Sequence, residues 1–252
     1  MRLTTHCFAV TGLAYATPWC VNAGFIAGEE TTLIIDAGGN TLAAQTLHGY
    51  AATARPGNKL VLINTEKHFD HIGGNSFFHG LGIEIWGHPQ LMRTNAEFET
   101  EIAEINDAIP DPARRQRKEA SAFFYQTRLA LPDHPVQAGQ TFSLGGPSAQ
   151  VLFTPGHTQT NLSIWVPQEG VLYTGDCVVC EYLPNLDASA PADWPRWLES
   201  LDQIQALRPE VLVPGHGPVA RGAAIEGALH SMRSVLREAI DCGVSPTSPN
   251  RR

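Results

Sequence analysis

The sequence lacks a cysteine framework and any long apolar run. Its five cysteines are odd in number and irregularly spaced, unlike the disulfide pattern of a small secreted domain, which favours a reducing compartment. No stretch approaches the ~20 apolar residues needed to cross a bilayer. The first ten residues also lack the apolar core of a signal peptide, because polar side chains interrupt it. We therefore expect a cytoplasmic protein with no membrane partner.

Basic charge is also scarce. The chain has 17 lysines and arginines against 25 aspartates and glutamates, so its formal net charge is -8. A partner with a phosphate backbone would need a local basic patch. The one candidate is the segment 114–118, which better suits the solvent-facing side of a helix. We expect a small-molecule substrate and no nucleic-acid partner, while the oligomeric state stays open.

Apolar segments with the spacing of strands and helices follow one another along the whole chain. Runs bounded by turn residues predict strands at 7–13, 21–27, 32–36, 60–63, 83–86, 150–154, 162–166, 171–174 and 211–213. Helical spacing predicts helices at 41–54, 194–207 and 223–240. Hydrophobic residues make up 43% of the chain, enough for a sizeable core. Because no linker separates the two halves, we expect one α/β domain over residues 1–252, with two sheets flanked by helices.

Residues 89–131 differ from the rest of the chain. They carry many charges and a Pro-Asp-Pro break at 110–112. On either side of this break the spacing predicts helices at 97–108 and 113–129. We expect a helical insert laid over the sheet.

The densest group of potential metal ligands directly follows the predicted strand at 60–63. Glu66, His68, Asp70 and His71 fall within six positions. A loop that ends a buried strand can aim several side chains at one point, because its backbone is free of the alternating geometry of the strand. This loop is therefore a candidate metal site.

Three further potential ligands follow other predicted strands. His157 lies in Pro-Gly-His-Thr, Asp176 in Gly-Asp and His216 in Pro-Gly-His-Gly. A single histidine or aspartate is more often structural than a ligand. Four strand ends that each deliver a nitrogen or oxygen ligand, however, suit a dinuclear metal site.

These elements resemble the metallo-β-lactamase superfamily. The loop at 66–71 is similar to the family signature His-x-His-x-Asp-His, and the other three elements follow in the family's order. Residues 34–38 also match an early family motif whose aspartate, here Asp36, lies near the metals. The resemblance covers nearly the whole chain. It implies an αββα sandwich with the metals at one edge, between the two sheets.

The resemblance also implies a role for each candidate residue. The first metal would be held by Glu66, His68 and His157, the second by Asp70, His71 and His216, with Asp176 bridging the two. Asp70 would also orient the water that the metals activate, and Asp36 would hold a ligand imidazole in place. The implied cofactors are two divalent ions, in the first instance zinc, with manganese and iron as alternatives.

The chain departs from the family signature at Glu66, where the pattern has histidine. A glutamate reaches about as far as a histidine and is an accepted zinc ligand. Its negative charge should weaken the Lewis acidity of the cluster and favour harder ions such as manganese or ferrous iron. The alternative is that Glu66 points away and only one metal binds.

The leading hypothesis is hydrolysis of a small ester, lactone, lactam or thioester. A β-lactamase is a special case of this hypothesis. Glu66 favours it, because members of one β-lactamase branch can carry a glutamate at this position. Asp176 disfavours it, because β-lactamases typically lack an aspartate there. A non-heme iron oxygenase on the same fold is the second hypothesis, and a non-catalytic binder is the third. We expect substrate contacts from Tyr182 and Asn185, in the loop that follows Asp176. The Cys-x-x-Cys spacing at 177–180 lacks a second pair and is interpreted as incidental.

Overall fold

The first half of the chain forms one sheet. The computed structural model describes residues 1–13, 20–108, 124 and 126–246, with 105–108 as backbone only. In these ranges the strands of the first sheet lie in chain order: β1 Cys7–Leu13, β2 Val21–Ala27, β3 Thr31–Ile35, β4 Lys59–Ile63, β5 Glu84–Gly87 and β6 His134–Pro135. Pairing is antiparallel from β1 to β3 and parallel from β3 to β6.

The second half forms the other sheet. Its strands are β7 Thr141–Ser143, β8 Ser148–Phe153, β9 Leu162–Val166, β10 Val171–Tyr173, β11 Val211–Val213 and β12 Ala220–Arg221, again side by side in chain order. Neighbours are antiparallel except for the parallel pair β10 and β11. Strands β8, β10 and β11 therefore all end at the same edge of this sheet.

Within the described residues the α-helices are α1 Thr41–Ala54, α2 Phe69–Ile72, α3 Asn75–Gly80, α4 Asn95–Ala108, α5 Trp194–Leu207 and α6 Ala223–Cys242. Helices α1 and α3 pack on the first sheet, α5 and α6 pack on the second, and α2 and α4 pack against each other. Helix α1 begins where the Asn40 side chain accepts a hydrogen bond from the Ala43 N–H at 2.7 Å. Helix α6 ends at Gly243, whose φ of 69° is the left-handed conformation that glycine adopts freely.

The alternation of side chains along each strand separates the layers. In β4, Val61 and Ile63 join the apolar cluster between the two sheets, whereas Leu62 packs on the other side with Leu47 of α1. A strand points successive side chains to opposite faces, so a continuous apolar run can serve two layers. The first sheet thus has one face on helices and one on the second sheet.

The second sheet repeats this arrangement. Val171 and Tyr173 of β10 face the first sheet, whereas Leu172 joins the cluster of α5 and α6 that contains Trp197 and Leu236. The layers follow one another as helix, sheet, sheet and helix, so the expected αββα sandwich is confirmed. Among the described helices, none is long and apolar enough to span a bilayer.

The nine predicted strands and the helices at 41–54, 194–207 and 223–240 are confirmed within two residues. Strands β6, β7 and β12 were not predicted. Each has two or three residues at the edge of its sheet, too few to produce a period-2 pattern. The division of the chain into domains stays a prediction.

The predicted helix at 97–108 is confirmed, while the helical insert as a whole stays a prediction. Helix α4 covers the predicted segment 97–108, while residues 109–123 and 125 lie outside the described ones. The predicted end of the second helix, at 126–129, is wrong, since those residues are not helical. There the Thr127 hydroxyl accepts a hydrogen bond from the Thr41 N–H, and the Ala130 carbonyl accepts one from Asn75. Tertiary hydrogen bonds therefore override helix propensity at this position.

Candidate metal centre

The candidate ligands converge at the edge where strands β3, β4, β8, β10 and β11 end. The loop after β4 lies against the turn after β3 through two glycines. A Cβ at Gly73 would lie 2.3 Å from the Gly39 carbonyl oxygen, and one at Gly74 would lie 2.3 Å from that of Ala37. The Ala37 N–H in turn donates to the His71 carbonyl at 2.8 Å. These contacts fix the short helix α2, which carries two of the candidates.

Steric contacts also explain why each Pro-Gly-His element has a glycine before its histidine. A Cβ at Gly156 would lie 2.2 Å from the Trp197 side chain, and one at Gly215 would lie 1.8 Å from an Asp176 carboxylate oxygen. No larger residue fits at either position without movement of these neighbours. The two glycines let the following residues, His157 and His216, enter the site.

Glu66, His68 and His157 meet at the first cluster. Glu66 Oε1 lies 2.8 Å from His68 Nδ1, and His157 Nε2 lies 3.0 Å from the same nitrogen. Glu66 Oε1 and His157 Nε2 are 3.9 Å apart. The Glu66 side chain is fully buried and points into the cluster, together with the two histidines that the sequence assigned to the same metal.

Asp70, His71 and His216 meet at the second cluster, and Asp176 lies between the two. His216 Nε2 is 3.3 Å and His71 Nε2 is 4.0 Å from Asp70 Oδ2. Asp176 contacts histidines of both clusters: its Oδ1 is 3.2 Å from His71 Nε2, and its Oδ2 is 3.4 Å from His157 Nε2 and 3.2 Å from His216 Nε2. The structure thus brings all seven candidates into one constellation.

These separations suit ligands of a metal ion. Two ligand atoms held tetrahedrally at 2.0–2.1 Å from zinc lie about 3.3–3.4 Å apart. The contacts of Asp176 with its three histidines, at 3.2–3.4 Å, and of His216 with Asp70, at 3.3 Å, agree with this value. The donor atoms at these contacts are therefore spaced as a divalent cation requires, while the three separations in the first cluster, 2.8, 3.0 and 3.9 Å, lie on either side of this value.

Three buried atoms of the constellation lack a hydrogen-bond partner among the described residues. They are Glu66 Oε2, His71 Nε2 and Asp176 Oδ1. A buried polar atom without a partner costs free energy, and together these two oxygens and one nitrogen would suit the coordination shell of a cation. The chemical type of these donor atoms therefore points to a bound cation, as the distances do.

The carboxylates of the constellation strongly favour positive charge on the groups that lie next to them. Although burial opposes the charged form, the neighbouring carboxylates, Asp36 first among them, hold the pKa of His71 well above its usual range. Burial likewise opposes charge at His68, yet Glu66 raises the pKa of that imidazole to about 9. In the reverse sense, burial would raise the pKa of Asp70, but His71 and His216 lower it to about 2. A divalent cation would satisfy the same negative groups.

Two hydrogen bonds orient ligand imidazoles from behind. His71 Nδ1 donates to Asp36 Oδ2 at 2.9 Å, which is the position predicted for that aspartate. His216 Nδ1 donates to the Cys20 carbonyl at 3.0 Å. Asp36 also accepts hydrogen bonds from the N–H and the hydroxyl of Thr65, both at 2.7 Å. With Nδ1 protonated in this way, each Nε2 is left as the metal-binding nitrogen.

A cavity of about 420 Å³ opens over the constellation. Tyr182 and Asn185, from which we expect substrate contacts, lie in its lining, and the Asn185 side chain also accepts a hydrogen bond from the Asp187 N–H. The sequence analysis missed two further lining residues, Glu101 and Glu104 of helix α4. They belong to a charged helical segment, and its spacing did not indicate which face would turn towards the site.

The Cys177–Cys180 pair takes no part in the constellation. Both thiols are free, and both side chains pack in the apolar cluster between the second sheet and its helices. Cys177 lies in the 3-10 turn Gly175–Cys177 that follows strand β10. Burial raises the pKa of the Cys177 thiol to about 12, which disfavours the thiolate that metals bind. No disulfide joins the pair.

Comparison with known proteins identifies the family. The family model described as the metallo-beta-lactamase superfamily matches residues 16–216, and this chain belongs to that superfamily. Among solved structures, a metallo-beta-lactamase family protein from Thermus thermophilus superposes with a TM-score of 0.70 at 20% identity, covering 96% of this chain and 82% of the other. A metallo-beta-lactamase from Pontibacter korlensis gives 0.65 at 21% identity, over 92% and 97%. At these identities the likeness shows the shared fold.

Curated relatives match shorter stretches. A protein named Beta-lactamase-like protein 2 homolog, from Caenorhabditis elegans, is 33% identical over 86 residues, 34% of this chain and 28% of the relative. An Atrochrysone carboxyl ACP thioesterase from Aspergillus fumigatus is 27% identical over 192 residues, 76% of this chain and 49% of the relative. In these alignments the chain spans less than half the length of each relative.

Proposed function

We propose that this protein is a metal-dependent hydrolase of small acyl compounds, with an ester or thioester as substrate. Its cofactors would be two divalent ions, zinc in the first instance. Their ligands would be Glu66, His68 and His157 at the first site, Asp70, His71 and His216 at the second, and Asp176 between them. The observation that carries this proposal is the contact of Asp176 with histidines of both clusters, at 3.2–3.4 Å.

Each residue has a task in such a reaction. When bound, the divalent ions act as Lewis acids that polarise the acyl carbonyl and make water more acidic. Asp70 lines the cavity and accepts a hydrogen bond from the attacking water, which orients that water towards the carbonyl. Asp36 and the Cys20 carbonyl keep two imidazoles in the orientation that the site requires.

The substrate occupies the cavity above these residues. Tyr182 and Asn185 offer a hydroxyl and an amide from one wall, which suits recognition of a polar acyl compound. Among the acyl classes, thioesters receive support from the matched relative that is named a thioesterase. A β-lactam remains the special case of the same chemistry.

A substrate panel tests the proposal. The protein, reconstituted with zinc or manganese, is assayed on a thioester, an ester, a lactone and a β-lactam, before and after metal removal by a chelator. We expect turnover of at least one acyl class, with loss on chelation and recovery on readdition of metal. If the protein holds two metals yet turns over none of these substrates, the proposal is wrong.

The carboxylate-rich donor set supports a second candidate, a non-heme iron oxygenase. Glu66, Asp70 and Asp176 supply oxygen donors beside the histidines, and such mixed sets suit ferrous iron. Metal analysis of protein purified without added metal, together with oxygen consumption, separates the two candidates.

We also propose the cytoplasm as the location of this protein, supported by five cysteines that are all free.

A further inference from the structure

Three cavities adjoin along the edge that carries the candidate metal centre. The cavity over the metal centre shares His68 and Glu101 with a second cavity of about 490 Å³. The second cavity shares Lys67 and Met92 with a third, of about 690 Å³. We call the third one the far cavity. The three together form a groove that leads from the candidate ligands to the far cavity and suits an elongated molecule.

Lys67 brings a positive charge to the far cavity. It lies between Glu66 and His68 in the chain, and its side chain is partly buried. Among the described residues, the lysine and arginine ion pairs within 4.0 Å are Lys59–Glu84, Arg93–Glu101 and Arg233–Asp202. Lys67 belongs to none of them, although it helps to lower the pKa of Glu97, so no carboxylate of the described residues lies within 4.0 Å of its ammonium group.

Side chains with hydroxyl groups line the far cavity together with Lys67. The Ser189 hydroxyl is buried at the far cavity and has no hydrogen-bond partner among the described residues. The hydroxyls of Thr158 and Thr160 lie 3.3 Å from each other on the same lining. One carboxylate, Asp193, is present among the described lining residues, and the Gln159 amide donates to it. Lys67 and the unpartnered Ser189 hydroxyl are thus the two groups of this lining that could bind an anion.

We propose that the far cavity binds an anionic group, a phosphate or a carboxylate, at the distal end of an elongated acyl substrate whose reacting carbonyl lies at the metal centre. This inference rests on the proposed hydrolase function for the position of the carbonyl. Lys67 pairs with the anion, and the Ser189 hydroxyl donates a hydrogen bond to it.

The middle of the groove defines where the anion can lie. Glu101 and Glu104 line both the cavity over the metal centre and the second cavity. Their carboxylates repel an anion placed between the metal centre and Lys67. A substrate with its charge close to the carbonyl is therefore disfavoured, whereas one long enough to bring the charge to Lys67 is favoured. The groove selects for chain length as well as for charge.

Matched substrates test this selection. Mono-4-nitrophenyl esters of dicarboxylic acids of increasing length are compared with uncharged esters of the same length, and a phosphonate-ended series distinguishes phosphate from carboxylate. We expect the ratio of kcat/KM, charged over uncharged, to rise at one length. In Lys67→Met that ratio should fall about tenfold, and Lys67→Arg should restore most of it. A ratio that is the same at every length would overturn the proposal.

Two further variants separate the anion site from the metal loop. Ser189 lies outside the metal loop at 66–71, and Ser189→Ala should lower the ratio about threefold with metal content unchanged. Lys59→Met, at the opposite end of strand β4, removes one positive charge and should leave the ratio as in the wild type. If Lys67→Met loses metal, Ser189→Ala decides the question, and an unchanged ratio in Ser189→Ala then contradicts the anion site.

Direct binding makes the test independent of catalysis. Octyl phosphate has no acyl group to hydrolyse, and its affinity is measured by calorimetry on the metal-loaded protein. We expect weaker binding in Lys67→Met and in Ser189→Ala, and wild-type affinity in Lys59→Met. Such a result with no turnover of any ester would contradict the hydrolase proposal while supporting the anion site. Equal affinity in all four proteins would contradict the anion site itself.

Discussion

Glu66 Oε1 lies 2.8 Å from His68 Nδ1 and 3.4 Å from His71 Nε2, so Glu66 touches histidines assigned to both metals. This is the one position where the chain departs from the signature of its superfamily. Its carboxylate is buried inside the constellation, and one of its oxygens has no hydrogen-bond partner among the described residues. The substitution therefore adds a negative charge at the centre of the site and leaves the constellation intact.

Glu66→His tests the effect of that charge. If Glu66 binds metal, its carboxylate lowers the Lewis acidity of the bound ions, and the basic limb of the pH–rate profile lies at higher pH than in a site with histidine. We expect the variant to shift this limb towards acid and to prefer zinc over manganese or iron. The pH–rate profile and metal content of both proteins check this. Two bound metals with an unchanged profile and preference would show that Glu66 is not a ligand.

Asp70→Asn should abolish hydrolysis. The change removes the carboxylate that contacts His216 at 3.3 Å and that orients the attacking water, while it keeps the size of the side chain. We expect a loss of at least about a hundredfold in kcat, the scale of a positioned catalytic group. Asp202→Asn, a surface carboxylate paired with Arg233, serves as the control and should leave kcat unchanged. Full activity in Asp70→Asn with both metals bound would refute the assigned role.

Asp36→Asn should weaken metal binding without unfolding the protein. Asp36 has a φ of 63°, a conformation that asparagine also tolerates, so the backbone turn is retained. The charged partner of His71 Nδ1 is lost, and partners of this kind typically contribute 10–100-fold in metal affinity. Competition with a chelator measures the affinity, and circular dichroism monitors the fold. Wild-type affinity would show that Asp36 does not support the imidazole.

Gly215→Ala should displace Asp176. The new Cβ would lie 1.8 Å from Asp176 Oδ1 and 2.8 Å from the Gly175 backbone. Both distances are too short for non-bonded atoms, so Asp176 would have to move. Gly227→Ala, in helix α6 with no atom within 4 Å of the new Cβ, should instead stabilise the protein by about 1 kcal/mol. Metal content and the midpoint of thermal unfolding compare the two variants. Equal metal content in both would contradict the steric argument.

The convergence of the candidate ligands could be predicted because these residues follow strand ends. Apolar runs located β4, β8, β10 and β11, and a histidine or aspartate of the candidate site lies in the loop that follows each of them. Strands that share a direction end at one sheet edge, so the positions in the sequence determine the convergence in space. Asp36 was expected from the family resemblance instead, and it too follows a strand end, that of β3.

The lining of the groove could not be predicted in this way. Glu101 and Glu104 lie on a charged helix whose orientation depends on the packing of Phe98 against Phe69 and Ile72. Ser189 and Lys67 come from segments that are distant in the chain and share a cavity only after folding. Their placement depends on tertiary contacts, and no local period in the sequence encodes these.

The number of metals bound per chain tests the central claim most directly. The metal-free protein is reconstituted with excess zinc, freed of unbound ion and analysed for metal against protein concentration. Two equivalents in the wild type, with fewer in a Glu66→Ala variant of unchanged fold, agree with two sites and with Glu66 as a ligand. At most one equivalent in the wild type would contradict the dinuclear centre and indicate that Glu66 has a structural role only.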